Sequence, residues 1–291
     1  MCDELTRSAG DEALARPGLT RRQFAALGAV ATIAACSGGN GEAKPAGNLG
    51  ESTVQVTTPD GTADAFFVHP ATGAHPGVVL WPDIAGLRDA FKAMARRLAG
   101  AGYAVLVVNQ YYRGAPAPVL GSFSEWRSPE GQARLRPMIA QITPEATMRD
   151  AAAFVGFLDG RSEVDGARGI GTQGYCMGGP FAVRTAAAAP GRVGAAASFH
   201  GAGLVTTEAD SPHLLLAKSR ASYLFAIARN DDARALTDKG TLRQAAAEAG
   251  RPAEIEVYPA DHGWCVPDSP VYDKAQADRA WERLLALYAK L

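Results

Sequence analysis

The sequence predicts an α/β fold, with one mostly parallel sheet covered by helices on both faces. Short continuous apolar runs such as residues 77–81 (GVVLW) and 103–108 (YAVLVV) fit strands buried on both sides. These runs alternate with longer stretches of helical periodicity, the pattern of a parallel sheet wrapped by crossover helices. Thirty-two glycines and eighteen prolines supply the tight turns that strand ends need.

Taken in order, residues 52–57 alternate in a strand-like way and residues 65–68 (AFFV) form a short second run. Strands follow at 77–81 and 103–108, separated by a helix over 91–98 that stops at Gly100. A helix is expected over 145–158, then a strand over 168–174 and a helix over 177–189 closed by Pro190. Strands at 193–199, 223–228 and 254–258 complete the sheet, with helices over 236–249 and 273–291. No internal repeat breaks this regime, so residues 51–291 read as a single domain.

The first fifty residues read as an address. Arg21-Arg22 precede a mildly apolar run over residues 24–35, and Ile33-Ala34-Ala35-Cys36 follows. That run is well short of the roughly 20 residues that span a bilayer as a helix, yet it suits a signal-peptide core. The paired arginines resemble a twin-arginine export signal, and the four residues ending at Cys36 resemble a lipobox. The expectation is an export signal over 1–35, a lipidated Cys36, and a Gly/Ser/Pro-rich tether over 36–50. The protein is then extracytoplasmic or periplasmic and touches a membrane only through its lipid.

Composition sets limits on partners. Charged residues are 20% of the chain and the formal net charge is −1, which gives no electrostatic footprint for nucleic acid. The four cysteines, Cys2, Cys36, Cys176 and Cys265, form no CxxC pair, so no zinc site or disulfide framework is indicated.

Cys176 carries the chemistry. Gly174-Tyr175-Cys176-Met177-Gly178-Gly179 lies between a strand and a helix, which is the G-x-nucleophile-x-G elbow with cysteine at its centre. Gly174 and Gly178 remove side chains that would collide within the sharp turn, and Gly179 brings helix and strand close. The helix N-terminus favours a thiolate there. A nucleophile needs a base, and the base an orienting acid. His262 lies just past the last strand, at the carboxyl edge where open α/β sheets hold their ligands. His200, ending the 193–199 strand, is its competitor. For the acid, Asp231 follows the 223–228 strand, with Asp232 as the alternative. Cys265 reads as packing. Two other classes fit part of this pattern: a lipid-anchored binding protein on the same fold, and a thiol redox protein with Cys265 as resolving partner.

Together, Gly-Tyr-Cys-Met-Gly-Gly around Cys176, Ala-x-x-Asp at residues 228–231, Ala-Asp-His-Gly-Trp around His262 and Val-Leu-Trp-Pro-Asp-Ile-Ala-Gly-Leu over 79–87 resemble the dienelactone hydrolase family. The resemblance covers residues 52–291 and implies the α/β-hydrolase fold. It implies a Cys176, Asp231 and His262 triad that cleaves small esters or lactones through an acyl-enzyme. It also implies an oxyanion hole from the backbone N–H groups of Ile84 and Met177, with no cofactor or metal. Asp83 stands where the family commonly has a glutamate contacting the resting thiol. Val266 stands where members that hydrolyse dienelactone carry an arginine for the substrate carboxylate. Arg113 is a candidate replacement for such a contact.

Overall fold

The computed structural model describes residues 48–291. The expected export signal, Cys36 and the expected tether up to residue 47 lie outside the described residues. Leu49 and Gly50, assigned to the tether, instead open the first strand, because they pair with Pro70 and His69 in an antiparallel ladder.

All eight expected strands form, in one sheet ordered β1-β2-β4-β3-β5-β6-β7-β8. β1 (Leu49–Thr58) and β2 (Gly61–Pro70) make a hairpin at one end, and β2 runs antiparallel to β4 (Ala104–Val108). From β4 through β3 (Gly77–Trp81), β5 (Ile170–Tyr175), β6 (Val193–Phe199) and β7 (Ser222–Ala228) to β8 (Ala253–Tyr258) every pairing is parallel. Side chains alternate between two cores. Val79 and Trp81 of β3 join one face with Phe154 and Ala182, whereas Val78 and Leu80 join the other with Phe91 and Leu284. This two-sided burial is why the central strands read as unbroken apolar runs.

Helices α1 (Asp89–Gly100), α4 (Pro144–Asp159), α5 (Gly178–Ala188), α8 (Asp238–Glu248) and α9 (Lys274–Tyr288) match the sequence expectation. Four further helices, α2 (Phe123–Trp126), α3 (Pro129–Ile139), α6 (Pro212–Leu215) and α7 (Arg229–Arg234), occupy stretches that read as loops. Their sequence signal is weak: α7 buries none of its residues, α3 carries Pro137 within it, and α2 and α6 are 4 residues each. Strand order reverses between β3 and β5, since the chain leaves β3 for β4 on one side and continues from β5 on the other. That reversal opens a crevice at the strands' carboxyl ends, and the candidate site sits there.

Candidate active site

β5 ends at Tyr175, and Cys176 takes the left-handed backbone conformation, φ +52°, before α5 begins. Such a φ is costly for a side-chain-bearing residue and persists only where the surroundings enforce it. They do so here by contact. A Cβ on Gly174 would lie 1.8 Å from the Gly178 carbonyl oxygen, and one on Gly178 would lie 2.5 Å from the Trp81 and Pro82 carbonyls. The Cys176 N–H is shared between the Phe199 carbonyl and His200 Nδ1, each at 3.1 Å. The thiol itself is buried.

His262 approaches from the loop after β8. Its Nδ1 lies 2.7 Å from Asp231 Oδ2, and its backbone N–H donates to Asn230 Oδ1 at 2.9 Å. Both partners stand in the first turn of α7. Successive residues of a helix point about 100° apart, so Asp232 turns away and pairs with Lys239 Nζ at 2.7 Å. With Nδ1 on the carboxylate, Nε2 is the nitrogen left to act; it has no nitrogen or oxygen partner among the described residues. Burial works against a charge on this ring. Charge interactions with Cys176 and Asp231, with hydrogen bonds to both groups, outweigh burial and hold the His262 pKa well above its usual value.

His200 is the other histidine at this edge, its ring 4.7 Å from that of His262 and 5.2 Å from Trp264. Its Nδ1 accepts the Cys176 N–H, so its proton resides on Nε2. Burial and the neighbouring His262 push its pKa well down, and it stays neutral. It accepts the backbone N–H of the elbow cysteine, a bond that nothing in its sequence position signals. Cys265, a free thiol three residues beyond His262, is buried and pushed up in pKa by that burial.

Ile84 lies just after β3, and Met177 follows Cys176. Among the described residues, no hydrogen-bond acceptor takes the N–H of either. Hydrogen bonds hold the turn around Ile84. Tyr111 donates its hydroxyl to the Ile84 carbonyl at 2.7 Å, Gln110 Nε2 donates to the Asp83 carbonyl at 2.7 Å, and Asp83 Oδ1 accepts the Ala85 N–H at 2.9 Å. The Tyr111 hydroxyl also lies 3.6 Å from Met177 Sδ, linking the two segments.

The two candidate contact residues are engaged elsewhere. The Asp83 carboxylate faces Arg88, with Oδ1 accepting Nη1 at 2.7 Å and Oδ2 accepting Nη2 at 2.9 Å. Arg113 forks onto Asp150 with both Nη atoms at 2.8 Å and also donates to Asp60 at 2.6 Å. Neither bond is legible in the sequence, because Asp150 lies on a separate helix and Arg88 falls before the helix expected over 91–98.

A strand-turn-helix cysteine, a histidine after the last strand and a carboxylate after the strand before it are what comparison with known proteins can place. The sequence profile of the dienelactone hydrolase family matches residues 63–291. The chain belongs to that family. It is a hydrolase on the α/β-hydrolase fold. Its relatives include a protein of Methylorubrum extorquens named "Putative carboxymethylenebutenolidase", 26% identical over 247 residues, which span 83% of this chain and 81% of that protein. The "Putative Dienelactone Hydrolase" structure from Klebsiella pneumoniae superposes with a TM-score of 0.71 at 22% identity, covering 84% of this chain and all (100%) of that one. The dienelactone hydrolase of Anabaena variabilis gives 0.59 at 18% identity, over 82% of this chain and 99% of its own. At those identities the two structures speak for the shared fold.

Proposed function

We propose that this hydrolase cleaves small carboxylic esters or lactones with Cys176 as nucleophile, His262 as base and Asp231 as its orienting acid. The observation that carries this reading is the 2.7 Å contact of His262 Nδ1 with Asp231, which leaves Nε2 for the buried thiol of the elbow. The thiolate sulfur attacks the carbonyl carbon, and the carbonyl oxygen gains charge between the Ile84 and Met177 N–H groups. Collapse forms a thioester and expels the alkoxide, which takes the proton from His262. Acylation also removes the thiolate charge that raises the His262 pKa. The imidazole then becomes a competent base, removing a proton from the water that attacks the thioester. Asp231 fixes the tautomer throughout.

Charge at the site bears on the substrate. Arg113 is bound to Asp150 and Asp60, Arg88 to Asp83 and Asp268, and Val266 is a buried apolar residue. These commitments favour substrates whose acyl part carries no carboxylate. Assay of the purified protein with uncharged aryl esters and lactones, each beside a carboxylated analogue and a Cys176→Ala control, tests both parts. Turnover that Cys176→Ala abolishes, with the uncharged member preferred, is expected. Turnover that survives in Cys176→Ala would refute the nucleophile. A preference for the carboxylated member would refute the substrate class.

For residues 1–47 the reading rests on sequence alone: an exported protein, lipidated at Cys36 after removal of residues 1–35. Cell fractionation with N-terminal mass measurement tests it, and a cytoplasmic protein that retains residues 1–35 would refute it.

A further inference from the structure

Arg88 is one of the largest side chains in the protein to be fully buried, with 1% of its surface exposed. It lies between two carboxylates on segments far apart in the chain. Nη1 and Nη2 bond Asp83, while Nε and Nη2 bond Asp268 at 2.7 and 2.8 Å. Asp268 also accepts the N–H of Phe123, the first residue of α2, at 3.1 Å. One guanidinium therefore joins the turn that holds Ile84, the loop that carries His262, and the helix that begins at Phe123. Its face is packed as well, with the Phe91 ring centroid 4.9 Å from Cζ.

Stability alone gives little reason for such a cluster. Removing charges from water costs several kcal/mol per ion, and apolar replacements of buried ion pairs are often neutral or better. What the cluster does supply is geometry. A forked guanidinium fixes two carboxylates in distance and in plane, which a point charge or an apolar contact does not. Asp83 is the residue before Ile84, and its own carboxylate also holds the Ala85 N–H. A shift at Asp83 is therefore transmitted to the Ile84 peptide directly. His262 is secured separately, by Asp231 and Asn230.

We propose that Arg88 is a positioning residue, which by bridging Asp83 and Asp268 sets the Ile84 N–H at the right place relative to the His262 loop. This rests on the reading of Ile84 as an oxyanion donor. The interaction acts on charge that develops during reaction, so its loss lowers kcat more than it raises KM. It leaves the thiol and its base untouched.

Asp268→Ala is the informative variant, because it cuts the bridge while leaving Asp83 and Arg88 as a balanced pair and so keeps the fold. For an uncharged aryl ester kcat falls about tenfold, less than the hundredfold or more of a lost oxyanion donor, while KM stays within about twofold. Alkylation of Cys176 by iodoacetamide, followed by mass spectrometry of its peptide, needs no oxyanion hole and proceeds at the wild-type rate. Asp268→Glu restores part of kcat, and Arg88→Lys, which keeps the charge and loses the fork, repeats the loss. An unchanged kcat in Asp268→Ala overturns the proposal, as does a parallel fall in kcat and alkylation rate. A wild type that turns over no ester overturns the hydrolase reading first and this role with it.

Discussion

The end of β6 and the loop after β8 each bring a fully buried histidine to the same edge of the sheet, with ring centroids 4.7 Å apart, and the two behave in opposite ways. His262 has Asp231 on one nitrogen and the thiol on the other side, and its pKa is held up despite its burial. His200 has a backbone N–H on Nδ1 and no carboxylate, and burial with the neighbouring ring drives its pKa down. Burial is common to both, so partners decide the charge. A histidine bonded to an N–H donor has its acceptor nitrogen occupied and serves as a brace, whereas one bonded to a carboxylate has its second nitrogen available as a base.

The contrast makes its largest prediction in rates. His262→Ala lowers kcat/KM by about three orders of magnitude, the scale of a lost general base. His200→Phe, which forfeits one hydrogen bond to the elbow, costs no more than about tenfold. Steady-state kinetics on one ester compares them directly, and the reverse ranking would exchange the two roles. Within α7 the same comparison applies to neighbouring carboxylates. Asp231→Asn costs up to about 10⁴-fold by spoiling the tautomer, and Asp232→Asn, which releases only Lys239, stays within about twofold.

A smaller effect lies in the titration of His262. Burial lowers its pKa, and the charge interaction with Cys176 is the largest single effect that raises it, followed by that with Asp231. In Cys176→Ala the ring therefore titrates lower than in the wild type, as NMR of the imidazole resonances would record. An unchanged midpoint would mean that Asp231 alone sets the charge.

Stability should carry the faintest trace. His200 is neutral when folded, with a pKa well below the ordinary 6.5, so below about pH 6.5 the unfolded chain binds a proton that the folded one refuses. Stability from this group is present above that pH and is lost as pH falls toward the depressed value. His262 has the opposite sign: its contribution is full below about pH 6.5 and declines as pH rises through its raised pKa. Thermal melts of His200→Phe against pH should lack part of the acid-side decline seen in the wild type. An identical slope would show that other groups dominate it.

Much of this was readable from the chain, and what was not has physical causes. β3 and β4 were legible because strands buried on both faces demand unbroken apolar runs, β1 through its alternation, and the elbow because a Cβ at Gly174 would come within 1.8 Å of the backbone. Sequence favours Asp231 and keeps Asp232 as the alternative, since adjacent residues differ only by their rotation about a helix whose own residues are all unburied. Arg88 and Asp268 stand 180 positions apart, and no local pattern announces such a pair. His200 reads as a competitor to His262 because proximity to the edge is readable while its bond to the Cys176 N–H is not.

The central claim is covalent, and trapping the acyl group tests it most directly. The protein is mixed with a slowly deacylating uncharged aryl ester, quenched in acid during the burst and digested for peptide mass mapping. The account predicts one acyl group on the peptide containing Cys176, released by hydroxylamine as a thioester and missing in Cys176→Ala. Full turnover with the acyl group on another residue, or with Cys176→Ala as active as the wild type, would contradict it.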